Sequence, residues 1–121
     1  MKTAIAAAAL CLGLAGVSAP AQATDKAGAF WGFGATSCAQ FSEARQNKTD
    51  AIYRWWLAGY MTAVNNITPD TYNIVGAESL SGPMAWIEAW CADKPDKTMT
   101  DATIALTRDL YPKRQTVKPP P

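Results

Sequence analysis

The sequence is 121 residues long, contains five tryptophans and no histidine, and carries a net charge of +1 at pH 7. Without Lys2, which lies in a segment that we expect to be removed, ten Lys and Arg balance ten Asp and Glu. A neutral chain lacks the basic excess with which nucleic-acid binders contact phosphates, so we expect no nucleic-acid partner. The absence of His removes the side chain most used for acid–base catalysis near neutral pH.

The first 23 residues have the pattern of a secretory signal peptide. Lys2 gives a cationic start, residues 4–17 are uncharged and apolar, and Ala-Gln-Ala at 21–23 places small residues where a signal peptidase recognises them. The apolar run is shorter than the roughly 20 residues that a bilayer-spanning helix needs, so we expect no membrane span. We therefore predict cleavage after residue 23 and a periplasmic or secreted mature chain.

Cleavage at that point removes Cys11 and leaves two cysteines, Cys38 and Cys91. Two thiols in a small exported chain predict one disulfide. By the chain-entropy estimate, a bond across such a long loop stabilises the fold by roughly 4 kcal/mol. The alternatives are a reactive thiol or a metal site. Zinc commonly takes four Cys or His ligands, which this chain cannot supply, so we expect neither a metal nor a cofactor.

Residues 24–36 combine glycine with aromatic side chains, in the order Phe30, Trp31, Gly32, Phe33, Gly34. This spacing has no helical period, and glycine loses much backbone entropy in a helix, so we predict an extended arm. Its three aromatic side chains either cover the protein's own helices or contact a partner.

The rest of the mature chain has the periodicity of helices. Ser37 and Thr98 are each followed three residues later by a side chain that completes a capping box. Thr49 or Asp50 is predicted to cap the second helix, and Ser81 the third, where a proline follows in the first turn. No segment alternates apolar and polar residues as a strand does. The four predicted helices cover residues 38–46, 50–66, 83–92 and 99–111.

These helices predict an all-α fold, a small four-helix bundle with one disulfide over residues 37–112, preceded by a cleaved signal peptide. The bond would join the start of the first helix to the end of the third. Residues 113–121 form a basic, proline-rich tail with little apolar area to bury, and we expect them to be disordered.

The second helix presents one apolar stripe that we predict to be buried. Within that stripe, glycine costs about 1 kcal/mol relative to alanine, so Gly59 predicts the close approach of another backbone or an indole ring. Trp55 points about 100° away from Trp56, and is therefore either covered by the arm or exposed to a partner. The predicted buried stripe is Ile52, Trp56, Gly59, Ala63 and Ile67, flanked by Tyr53, Leu57, Tyr60 and Val64.

The acid–base groups that remain are carboxylates in predicted caps, turns or solvated faces. Serine nucleophiles lack a base, and no glycine-rich loop follows a strand to hold a phosphate. We therefore expect no catalytic site. The carboxylates considered for one are Glu43, Glu88, Asp93, Asp96, Asp101 and Asp109.

Three segments together resemble the HdeA/HdeB family of periplasmic acid-stress chaperones. They are SCAQF at 37–41, LAGYMTAVNN at 57–66 and GPMAWIEAWC at 82–91. The resemblance covers about residues 37–111. It implies a small all-helical periplasmic protein with one disulfide and no enzymatic activity, which binds client proteins.

The sequence also resembles the Tai-type immunity proteins of type VI secretion in two smaller elements. These are Gly59-Tyr60 and Trp90-Cys91 followed by Pro95. That second resemblance implies a protein that neutralises a secreted cell-wall-targeting enzyme.

We therefore expect an exported, non-enzymatic protein-binding module, a chaperone of the HdeA kind or, alternatively, an immunity or inhibitor protein. Its partner is a protein or client, and a homodimer stays open. The candidate protein-binding residues are Phe30, Trp31, Phe33 and Trp55.

Overall fold

The computed structural model describes residue 29 and residues 31–121. The predicted signal peptide and six residues of the predicted arm, including Phe30, lie outside the described residues. The described chain forms four α-helices and contains no β-strand, which confirms the prediction of an all-α fold. The helices are α1 (Cys38–Gln46), α2 (Ala51–Ile67), α3 (Ser81–Cys91) and α4 (Met99–Leu110), with 3₁₀ helices at Gly32–Ala35 and Tyr111–Lys113.

The predicted disulfide between Cys38 and Cys91 is confirmed. It joins the first residue of α1 to the last residue of α3, and both cysteines are buried in the core. The other buried apolar residues are Phe41, Tyr53, Leu57, Met61, Val64, Ile74, Met84, Ile87, Met99, Ala102 and Leu106.

Helices α1 and α4 both begin with the capping boxes that the sequence predicts. The Ser37 hydroxyl accepts a hydrogen bond from the Gln40 amide, and the Gln40 side chain accepts one from the Ser37 amide. Thr98 and Asp101 repeat the arrangement at α4. Each box satisfies amide groups that a helix N-terminus otherwise leaves without partners.

The two capped ends lie side by side and are joined by backbone hydrogen bonds. The Cys38 amide donates to the Lys97 carbonyl at 2.7 Å, and the Met99 amide donates to the Thr36 carbonyl at 2.9 Å. This short antiparallel bridge lies beside Cys38, so the disulfide and the starts of α1 and α4 form one junction.

Two of the predicted helix caps are wrong. Ser81 is the first residue of α3 rather than its cap, and Leu80 precedes it without a side-chain cap. Asp50 precedes α2 but does not cap it, because its carboxylate accepts a hydrogen bond from Arg45 instead.

The predicted buried stripe of α2 is also wrong. The buried residues are Tyr53, Leu57, Met61 and Val64, one position further round the helix. The two faces are hard to distinguish by polarity, since Arg54 is the only charged residue in α2. The face with the longer side chains, which fill more volume, packs into the core. A Cβ atom at Gly59 would meet nothing within 4 Å, so the predicted close approach is absent among the described residues.

The chain that follows α4 returns to the connection between α2 and α3. Asn73 and Gln115 exchange backbone hydrogen bonds, at 3.1 and 2.9 Å. The Arg114 guanidinium lies 3.8 Å from the centre of the Tyr111 ring, and its Nε donates to the Thr71 hydroxyl. The first residues of the segment predicted to be a tail therefore pack against the helical domain.

Candidate protein-binding surface

Two of the candidate binding residues are the most exposed aromatic side chains in the described part of the chain. Trp31 is 83% exposed and Trp55 is 73% exposed. A tryptophan carries a large apolar area, up to about 250 Å², which makes it costly to leave in water and effective as an interface anchor. Phe30 lies outside the described residues.

Phe33, in contrast, faces the protein. Its ring makes an edge-to-face contact with Tyr53 at 5.0 Å between centroids, and Tyr53 makes a similar contact with the buried Phe41 at 5.2 Å. Of the two interpretations offered for the arm, Phe33 fits contact with the protein's own helices, whereas Trp31 does not.

Gly34 explains how the arm lies so close to the helices. A Cβ atom at this position would come within 2.6 Å of the Trp56 indole and 2.7 Å of the Thr100 hydroxyl. The Thr100 hydroxyl also donates a hydrogen bond to the Gly34 carbonyl at 3.0 Å. The 3₁₀ helix is therefore fixed between α2 and α4, and Trp31 precedes it on the outside.

The side of α2 that faces away from the core is uncharged and mostly apolar. Its residues recur at helical spacing, and two besides Trp55 are large and exposed: Ile52 at 47% and Ile67 at 77%. Arg54 does not belong to this side, since its guanidinium donates to the Ser81 hydroxyl on α3. We name it the α2 outer face, consisting of Ile52, Trp55, Gly59, Ala63, Asn66 and Ile67.

A cleft of about 400 Å³ lies elsewhere, between the connection that follows α2, the start of α3 and the end of α4. Buried Ile74 and Leu106 line it together with half-buried Trp86, while Asp109 and Lys113 pair beside it at 3.3 Å. Its volume is in the range of small-ligand pockets. The sequence does not reveal this cleft, because its lining comes from three segments that are far apart along the chain.

Most of the carboxylates considered for catalysis have structural partners. Asp101 belongs to the α4 capping box, Asp93 pairs with Lys94, and Asp109 pairs with Lys113. In the described part of the chain, no three Cys, Asp or Glu side chains converge as metal ligands would.

The remaining carboxylate of note, Glu88, takes part in a charged junction centred on Arg45. Arg45 donates to one oxygen of Glu88 on α3 through Nε and Nη2, at 2.9 and 2.8 Å, and to Asp50 before α2 through Nη1 at 2.7 Å. The hydrogen bond from Arg45 lowers the pKa of Asp50 below its usual range, and the two carboxylates raise the pKa of Arg45. Through Arg45, the junction joins α1 to α3 and to the residue that precedes α2.

No protein-family model matches the chain, and searches of curated proteins and of solved structures find no significant match. None of the helices in the described part of the chain combines the length and apolarity needed to cross a bilayer.

Proposed function

We propose that this protein is an exported, non-enzymatic protein-binding module of the periplasm, a chaperone of the HdeA kind, and that the α2 outer face together with Trp31 is its contact surface. The observation that carries the proposal is Trp55, a tryptophan that is 73% exposed on an uncharged helix face.

The energetics of the two exposed tryptophans support a binding role. Soluble monomers rarely leave contiguous apolar area exposed, and such patches mark interaction sites. Interfaces draw most of their energy from a few aromatic anchors, each of which costs about 2 kcal/mol or more when truncated. Trp31 and Trp55 have the size and exposure for this role, and neither supports the core.

The charge distribution supports client binding in acid. The α2 outer face contains no group that titrates, so it stays uncharged at every pH. The rest of the molecule does change, since protonation of all carboxylates leaves the ten Lys and Arg of the mature chain unbalanced. Charge repulsion then favours looser packing and further exposed apolar surface.

The test uses three tryptophan variants of the mature chain. Lactate dehydrogenase is acidified to about pH 2, where carboxylates are protonated, and light scattering reports its aggregation with and without each protein. The wild type should suppress aggregation, and Trp31→Ala and Trp55→Ala should weaken suppression at nearly unchanged melting temperature. Trp56→Ala is the matched control, because Trp56 is half-buried against Gly34 and its loss should reduce stability instead.

A large drop in melting temperature for Trp31→Ala and Trp55→Ala would show that both residues serve the fold, and would contradict the assignment of the surface. Absence of suppression by the wild type would contradict the chaperone role. If a pull-down at neutral pH then recovers one specific enzyme, the immunity or inhibitor function replaces it.

A further inference from the structure

We propose that the cleft between the α2–α3 connection, the start of α3 and the end of α4 binds a small organic cation, a molecule with a protonated amine and an apolar body. Glu78 contacts the ammonium group, and the apolar wall around Trp86 contacts the body. The cleft shares no residue with the α2 outer face, so this site is separate from the proposed function.

The cleft has the size and the lining of a small-molecule site. Its volume of about 400 Å³ lies in the range of roughly 300–1,000 Å³ that is typical of such sites. Small-molecule sites combine mostly apolar walls with a few polar groups that orient the ligand. The apolar wall of this cleft consists of Ile74, Val75, Pro83, Trp86, Leu106 and Leu110.

The α2–α3 connection holds its side of the cleft in place through hydrogen bonds. The Ile74 amide donates to the Asn65 side chain at 2.7 Å, and the Asn73 side chain donates to the Gly76 carbonyl at 2.6 Å. The backbone of Asn73 also pairs with that of Gln115. Gly76 turns the chain at a φ of 75°, a conformation that favours glycine. The cleft is therefore formed before a ligand arrives, which lowers the entropic cost of binding.

The charged groups of the cleft leave one negative charge without a partner. Three charged side chains line it, Glu78, Asp109 and Lys113. The Lys113 ammonium lies 3.3 Å from the Asp109 carboxylate, so these two charges offset each other. Glu78 forms no ion pair with any residue that the structure describes. A ligand with a single positive charge therefore complements the cleft.

The Glu78 carboxylate lies at the start of α3, beside the apolar wall. Its Oε2 is 2.9 Å from the place that a Cβ at Gly82 would occupy, and Gly82 itself lines the cleft. Trp86 follows Gly82 by four residues and so lies on the same side of α3. Four residues advance a helix by roughly 6 Å. That spacing suits a short stem between the ammonium group and the apolar body.

The lining favours an organic cation over a metal ion or a basic side chain of another protein. Among the described residues, no three Cys, Asp or Glu side chains converge, whereas calcium and magnesium require several oxygen ligands. A lysine side chain would reach Glu78 with a thin unbranched stem, and most of the wall around Trp86 would stay uncovered. A free amine with a bulky body satisfies both parts of the cleft.

Three ligands that share a phenyl body and differ in charge test the site. They are phenethylamine, which is cationic at pH 7, the neutral phenethyl alcohol and the anionic phenylacetate. Each is titrated to about 10 mM into the isotopically labelled mature chain at low salt, and NMR follows the amides of Gly76 and Ala77 and the indole of Trp86. Phenethylamine should give saturable shifts with a Kd of about 1 mM. The alcohol should bind more weakly, phenylacetate should bind weakest, and the indole of Trp55 should not shift.

Substitutions of Glu78 test the charge directly. Glu78→Gln should weaken phenethylamine binding about two- to fivefold, the range expected for an exposed ion pair, and should leave the alcohol unaffected. Glu78→Lys should reverse the order, so that phenylacetate binds more tightly than phenethylamine. Asp96→Asn is the matched control, because it removes an exposed carboxylate that does not line the cleft.

Equal affinity for the three ligands, the absence of saturable shifts, or shifts confined to Trp55 would overturn this site. So would equally tight binding of Nα-acetyl-lysine amide, which would point to a basic side chain of a protein instead. These outcomes leave the proposed function standing, because Glu78→Gln does not change the α2 outer face and should suppress client aggregation as well as the wild type does. Loss of the chaperone activity would, in turn, leave the ligand titrations unaffected.

Discussion

Gly34 and Gly59 are two glycines with opposite surroundings, and they should respond to alanine in opposite directions. At Gly34 a methyl group would collide with the Trp56 indole and the Thr100 hydroxyl. Such overpacking costs about 1–3 kcal/mol. At Gly59 the space is open, so Gly59→Ala should stabilise the helix by up to about 1 kcal/mol. Urea denaturation measures both effects.

Each variant is the control for the other, since the chemical change is the same. A Gly34→Ala protein as stable as the wild type would show that the 3₁₀ helix can move away from α2. A Gly59→Ala protein that is less stable than the wild type would contradict the open space at that position.

At the scale of the elements, the sequence predicts features that depend on residues close together in the chain. It does not predict features that depend on how the helices pack. The capping boxes at Ser37 and Thr98 join residues three apart, so the sequence shows both partners at once. Which face of α2 is buried, in contrast, depends on residues far away in the sequence. Both of its sides are apolar at helical spacing, and only packing against the other helices selects Tyr53 and Leu57 over Ile52 and Gly59.

The candidate binding surface coincides with the stripe of α2 that the sequence wrongly predicts to be buried. The stripe predicted to be buried is, apart from Trp56, the one that the structure leaves exposed. Trp55 was predictable as a residue off the core, because it points away from Trp56 whichever stripe is buried. The Arg45 junction was not predictable, since Arg45 and Glu88 lie 43 residues apart and only the docking of α1 on α3 brings them together.

The Arg45 junction predicts how stability depends on pH. Arg45 lowers the pKa of Asp50 in the folded state relative to about 3.9 in the unfolded chain. A carboxyl with a lower folded pKa contributes stability above its unfolded pKa, and loses it as the pH falls through the folded pKa. Asp50→Asn should therefore be about 1 kcal/mol less stable than the wild type at neutral pH. The difference should shrink below about pH 4.

Asp96→Asn is the control for this pH series. Asp96 is exposed and makes no ion pair with any described residue, so its variant should track the wild type. Free energies of unfolding from urea titrations at several pH values provide the comparison. A deficit in Asp50→Asn that stays constant down to the acid end of the series would exclude ionisation of Asp50 as its origin.

At the scale of the whole molecule, the disulfide should decide whether the domain folds. Cys38 and Cys91 are 53 residues apart. Closing that loop removes conformational entropy from the unfolded chain and so stabilises the fold by roughly 4 kcal/mol. This is a large part of the stability of about 5–15 kcal/mol that is typical of a domain.

The double variant Cys38→Ala/Cys91→Ala avoids free thiols and should melt more than about 10 °C below the wild type, since a domain of this size loses about 4–8 °C per kcal/mol. Single and double variants should lose similar stability, because either change opens the loop, and reduction of the wild type should have the same effect. Two free thiols in the native protein, or a double variant that melts with the wild type, would show that the bond does not stabilise the fold. In that case the backbone bridge between Cys38 and Lys97 and the two adjoining capping boxes would hold the junction without it.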